Sequence, residues 1–136
     1  LKPLSASWNH EQKLTDLAEG IGGARLERAT GRPITAATEE GADLMDGADL
    51  LRLKGPLLNN RTGAAFPISD KMVEGLAKAV VKDLTTNTLT KKMVVDMLGL
   101  TSDQRILLQA RIAEGLKAAI GKGMTIQNAE PIIFLE

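Results

Sequence analysis

The segment that most restricts the fold is Gly41 to Pro56, two apolar-containing runs on either side of Asp46-Gly47-Ala48. An Asp-Gly pair supplies the positive φ that tight hairpin turns need, so this spacing predicts an antiparallel β-hairpin. Gly55-Pro56 stops the second strand, because proline has no N–H for the ladder. Side chains alternate along a strand, which makes the two faces of the hairpin readable in advance. A turn centred on Asp46-Gly47 sets Asp43 opposite Leu50, and one centred on Gly47-Ala48 sets it opposite Arg52. In either register Asp43, Leu50, Arg52 and Lys54 share one face, and Leu44, Leu51 and Leu53 supply the other. One side of a largely apolar sheet therefore gathers a carboxylate, a guanidinium and an ammonium.

The rest of the chain supplies elements to pack against this hairpin. Asn9 and Gln12 have the spacing of a polar capping pair, and Leu14, Leu17, Ala18 and Ile21 follow at helical intervals. Gly20, Gly22 and Gly23 each weaken a helix by roughly 1 kcal/mol against alanine, so this helix is expected to end or kink there. Residues 23–31 add a further turn or two, closed by Gly31. Ile34 to Ala37 is a short strand, and Asn59 to Gly63 is a loop. Ser69 caps a second helix with an apolar stripe of Val73, Leu76, Ala77, Val80 and Leu84. Residues 85–89 form a connection, and Lys92 to Asp96, rich in β-branched and apolar residues, is a buried strand. Thr101 and Gln104 form a capping box for a helix over 102–120, with Leu108, Ile112, Leu116 and Ile120 on one side. Gly121 and Gly123 end it, and residues 130–136 form a last strand with Pro131 at its start.

The expected architecture is a single mixed α/β domain. A helix is followed by a mixed sheet of three to five strands with flanking helices. Residues 1–8 read as a linker and 9–136 as the domain. The chain begins at Leu1 rather than Met, so it reads as a piece of a longer protein.

Composition closes off several function classes. The 136 residues include no Cys, which excludes a disulfide scaffold and any Cys-built zinc site. A lone His10 argues against a Ser-His-Asp triad. No run of about eighteen apolar residues occurs, so no spanning helix is expected. Gly20-Ile21-Gly22-Gly23 has no strand before it and is not a dinucleotide loop. The formal net charge is zero, which counts against a generally basic nucleic-acid binder, but the distribution is uneven. Residues 1–49 hold 5 basic and 9 acidic groups, net −4, and residues 50–136 hold 12 and 8, net +4. Lys71, Lys78 and Lys82 fall on one helical stripe, and with Arg52 they are candidate contacts to a phosphate backbone. Aromatics are only 2% of the chain, so base stacking is scarce and recognition of shape or backbone is expected.

A carboxylate beside a lysine has a chemical use. The carboxylate can hold a divalent cation, and the lysine can assist an attacking water, the parts that phosphodiester hydrolysis needs. The order helix, three strands, helix, strand, with Asp on one hairpin strand and Lys on the next, resembles the PD-(D/E)XK nuclease superfamily. Within it, Gly41 to Pro56 is similar to the active-site hairpin of toxin nucleases from contact-dependent growth inhibition and related polymorphic toxin systems. The resemblance covers about residues 9–97, with a helix and a strand appended. It implies a restriction-endonuclease-like core and a metal-dependent endonuclease acting on DNA or tRNA. It further implies a toxin domain carried on a larger secreted or cell-surface protein, acting in the target-cell cytoplasm and neutralised by a cognate immunity protein. By the same resemblance Asp43 and Lys54 match the hairpin acid and the lysine. Glu19 best matches the acid of the first helix, with Glu11 and Glu27 as alternatives. Glu19 and Asp43 would then hold Mg²⁺ or Zn²⁺, and Lys54 would assist the water.

One position departs from that pattern. Two residues before the lysine the family carries an acidic or polar side chain, and here stands Arg52, which cannot ligate a cation. Three accounts follow. Glu19, Asp43 and a backbone carbonyl hold the metal, or Asp49 compensates after a shift, or the site is degenerate and the chain is a non-catalytic α/β binding domain.

Overall fold

Apolar spacing becomes three layers in the computed structural model, which describes residues 17–38, 42–86, 92–126 and 132–136. In chain order the described elements are α1 (Leu17–Thr30), β1 (Ile34–Ala36), β2 (Leu44–Asp46), β3 (Asp49–Lys54), α2 (Asp70–Thr86), β4 (Lys92–Asp96), α3 (Ser102–Gly121) and β5 (Ile133–Leu135). The strands form one mixed sheet in the order β1-β2-β3-β4-β5. The first three run antiparallel, and β3, β4 and β5 run parallel. The α/β class and the single mixed sheet agree with the sequence reading. The capping pair at Asn9 and Gln12, Leu14, the linker 1–8, His10, Glu11 and Pro131 lie outside the described residues.

Strand alternation divides the core between the two faces. Met93 and Val95 of β4 pack with Val73, Leu76, Val80, Leu84, Leu108 and Ile112 of α2 and α3. Val94, Leu51 and Leu53 point the other way and pack with Ala24 and Leu26 of α1, joined by Ile34, Leu44 and Leu135. So α1 covers one face and the α2–α3 pair covers the other. Both faces of β4 are buried, as its apolar run requires.

The hairpin takes the second of its two registers. Leu44 pairs with Leu51, Met45 with Leu50 and Asp46 with Asp49, which leaves Gly47 and Ala48 as the turn. Gly47 holds φ +63° there. The predicted caps also form: Ser69 Oγ accepts the Met72 N–H, and Thr101 and Gln104 make the reciprocal capping box.

Two expectations need correction. The first helix neither ends nor kinks at its glycines but runs unbroken from Leu17 to Thr30, with Gly31 at φ +68° just after it. Gly20, Gly22 and Gly23 are all buried. A Cβ on Gly22 would stand 2.7 Å from Leu53 Cδ2 and 3.2 Å from Pro56 Cδ, so the missing side chain lets the helix lie directly on the end of β3. Close packing outweighs propensity here. The α3 stripe also differs: Leu108 and Ile112 are buried and Leu116 half-buried, but Ile120 is 55% exposed. A step of four residues overshoots a 3.6-residue turn by about 40°, so three such steps rotate the stripe out of the core.

A clamp at the sheet edge carries a prediction. Arg32, just after α1, donates from Nε to both oxygens of Asp46 at 3.1 Å and from Nη2 to Oδ2 at 2.6 Å. This hydrogen bonding holds the Asp46 carboxyl below its ordinary value of 3.8. A depressed folded value means that the contribution is fully present above 3.8 and fades as pH falls through the lower folded value. Asp46→Asn is therefore expected to lower the urea midpoint modestly at neutral pH and to match the wild type in strong acid. Urea titrations across that range check it.

Candidate functional site

Asp43 lies just before β2, where the ladder runs out. Its main chain still accepts from Ala37 N–H at 3.0 Å and donates to the Leu51 carbonyl at 2.9 Å. The Leu53 N–H is then taken by Asp43 Oδ2 at 2.8 Å, so a side chain replaces the missing main-chain acceptor. Asp43 Oδ1 lies 3.6 Å from Arg52 Nη1, and Arg52 Nε lies 3.1 Å from Asp83 Oδ1 on α2. The Nε contact is one of charge and proximity rather than an aligned hydrogen bond. Arg52 side chain is 27% exposed and Asp83 10%. The guanidinium thus bridges the hairpin to α2 between two carboxylates, on the face that strand alternation assigns to it.

A second set of residues includes Glu19 and Lys54. Both line a pocket of about 200 Å³ at the carboxyl end of β3, with Ala18, Gly55, Pro56 and Asn60. Its walls follow from three local features. Glycine at position 22 brings α1 onto Leu53 and Pro56. Lys54 is the last residue of β3, and Gly55 turns the chain away with φ +76°. The loop behind it is closed by Asn59, whose Oδ1 accepts the Arg61 and Thr62 N–H groups, and is tied to α1 by Leu17 N–H to the Asn60 carbonyl at 2.8 Å. The pocket lining holds a carboxylate, an ammonium and an amide and no aromatic ring. Such a set can exchange protons with a bound ligand and neutralise an anion. Glu27 lies two turns further along α1 and is not part of the lining.

Sequence reasoning assigned no role to the most buried acid among the described residues. Asp96 ends β4 with 1% exposure, and both its oxygens accept from Arg25 Nε, at 3.1 and 3.0 Å. Oδ1 also accepts the Leu98 N–H at 3.0 Å. The clue was an acid closing the apolar run Met93-Val94-Val95, since a buried carboxylate requires a cation and hydrogen-bond donors. This pair ties α1 to β4, and the Asp96 carbonyl packs against Gly55, which lines the Glu19–Lys54 pocket.

The lysine stripe forms but faces elsewhere. Lys71, Lys78 and Lys82 are all exposed on α2. Lys78 and Lys82 line a cleft of about 640 Å³ between α2 and α3, over Ala77, Val81 and Gly115. That cleft and the Glu19–Lys54 pocket share no residue. Arg111 on its rim is held by Glu74 at 3.0 Å and Glu114 at 3.2 Å.

Asp43 is engaged by the Leu53 N–H and by Arg52, which is itself paired to Asp83 on α2, and it is not among the residues that line the Glu19 pocket. A cation at Asp43 would have to displace a guanidinium. Among the described residues no three His, Asp or Glu side chains cluster at metal-holding distance. Among the same residues no helix is long and apolar enough to cross a membrane. Comparison of the chain with protein-family models, curated proteins and solved structures finds no match.

Proposed function

We propose that this chain cleaves phosphodiester bonds in nucleic acid, DNA or tRNA, with the Glu19–Lys54 pocket as its centre. The observation that carries this reading is that two residues distant in sequence, both implied by the nuclease resemblance, line one pocket. A carboxylate can take a proton from a nucleophile, and an ammonium can neutralise charge on a phosphate. The succession of helix, antiparallel three-strand unit, helix and parallel strand supports the reading as well. On the same proposal the domain is a bacterial toxin delivered by a larger protein and neutralised by an immunity protein. Dependence on Mg²⁺ or Zn²⁺ belongs to the expectation and is decided in the same assay.

A second reading is favoured by the Asp43–Arg52–Asp83 group. There the position of an acidic ligand is filled by a guanidinium committed to the fold. On that reading the chain is a non-catalytic α/β binding domain with a degenerate site.

The assay incubates the purified chain with plasmid DNA and with tRNA, in Mg²⁺, in Zn²⁺ and in excess chelator. Cleavage of at least one substrate is expected. Lys54→Met, verified as folded by circular dichroism, should lower the rate by at least about 100-fold, the low end for removing a positioned proton donor. No cleavage under any condition would favour the binding-domain reading. Undiminished cleavage by Lys54→Met would remove the pocket from the mechanism.

A further inference from the structure

Resting on that reading, we infer that the nucleic acid cleaved is RNA, that its own 2′-hydroxyl is the nucleophile, and that Glu19 and Lys54 act as base and acid. The argument starts from what each nucleic acid must be given. DNA offers no internal nucleophile, so its hydrolysis needs an activated water, and a bound cation is the usual means of activation. The residues assigned to such a cation do not form one open set here. Asp43 accepts from Leu53 N–H and stands beside the Arg52 guanidinium, which would compete with a cation, and Asp43 is not among the residues that line the pocket of Glu19 and Lys54. RNA carries a hydroxyl next to each phosphorus, already part of the same molecule, and needs only proton transfer and charge stabilisation. The pocket holds one group of each kind needed, Glu19 to accept a proton and Lys54 to donate one.

The step balances without a co-reactant. The Glu19 carboxylate takes the 2′-hydroxyl proton as the 2′ oxygen forms a bond to phosphorus. The bond from phosphorus to the 5′ oxygen breaks, and that oxygen leaves with a proton from the Lys54 ammonium. The products are a 2′,3′-cyclic phosphate and a 5′-hydroxyl. Solvent then returns a proton to Lys54 and removes one from Glu19. Charge building on the phosphoryl oxygens is met by the same ammonium. The size of the pocket agrees: about 200 Å³ suits a phosphate with its sugar edge, and the lining has no ring on which a base could stack.

The test uses the full chain, tRNA, a defined RNA oligonucleotide, the same oligonucleotide with 2′-deoxy or 2′-O-methyl sugars, and plasmid DNA. Each is incubated in excess chelator and in Mg²⁺. The expected result is RNA cleavage at the same rate in both buffers, with cyclic phosphate ends, and no cleavage of DNA or of 2′-blocked RNA. Glu19→Gln and Lys54→Met should each reduce the rate by at least about 100-fold with the fold retained. Cleavage of DNA, products with 5′-phosphate ends, or activity lost in chelator and restored by Mg²⁺ would overturn this inference and leave the proposed function standing. Absence of cleavage of every substrate would overturn both.

Discussion

Gly55→Ala is expected to lower stability by at least about 3 kcal/mol, a large share of the roughly 5–15 kcal/mol that holds a domain of this size together. Gly55 has φ +76°, where a Cβ costs about 1–2 kcal/mol through its own backbone. The larger part is steric. A Cβ at Gly55 would stand 2.3 Å from the Asp96 carbonyl oxygen. That oxygen belongs to the main chain of β4 and cannot rotate away like the tip of a side chain. Relief requires β3 and β4 to part where they pair, Lys54 beside Val95. The same residue lines the Glu19–Lys54 pocket, so the proposed nuclease activity should fall with stability. Gly47→Ala isolates the backbone component, since Gly47 has φ +63° and nothing within 4 Å of its virtual Cβ. Urea titration of both variants is the measurement. Equal losses at the two glycines would mean that the approach of Gly55 to β4 carries no energetic weight.

Arg25→Ala is the second large effect, expected at about 3–5 kcal/mol because it leaves a carboxylate buried without its partner. Asp96 is buried, and after removal of Arg25 it still accepts the Leu98 N–H. Asp96→Asn keeps an oxygen for that N–H and removes the charge, so it should cost less. The double variant Arg25→Ala with Asp96→Asn should be more stable than the sum of the single effects predicts, because the stranded charge is gone. A double-mutant cycle by urea denaturation measures this. Strict additivity would show that the two side chains are not coupled.

The elements were largely legible because their signals are local. Ser69, Thr101 with Gln104, the Gly47 turn and the apolar run at 92–96 each act within a few residues, and each does so in the structure. The α1 glycines misled for the opposite reason. Their meaning depends on Leu53 and Pro56, which the chain reaches some thirty residues later. The candidate site was legible as residue types and not as a constellation. Period two correctly grouped Asp43 with Arg52, and their ion contact follows from it. It gave no hint that Lys54, at the strand terminus, would line a pocket with a residue of the helix on the other layer. Asp96 with Arg25, and Asp83 with Arg52, join residues from separate elements, so no spacing rule marks them.

By itself, then, the amino-acid order determined the helices and strands, the register parity of the hairpin, and the restriction to carboxylates and amines that comes with no cysteine and one histidine. Those follow from backbone geometry and from inventory, which need no knowledge of neighbours. Tertiary structure alone decided which carboxylate is committed to the fold and which lines a pocket. Asp43 is engaged by a backbone N–H and a guanidinium, and Glu19 lines a pocket with Lys54 on a helix whose Gly22 packs closely against Leu53 and Pro56. The physical reason is that a charged group's role is set by what surrounds it in space, and packing against β3 and β4 is what assembles those surroundings.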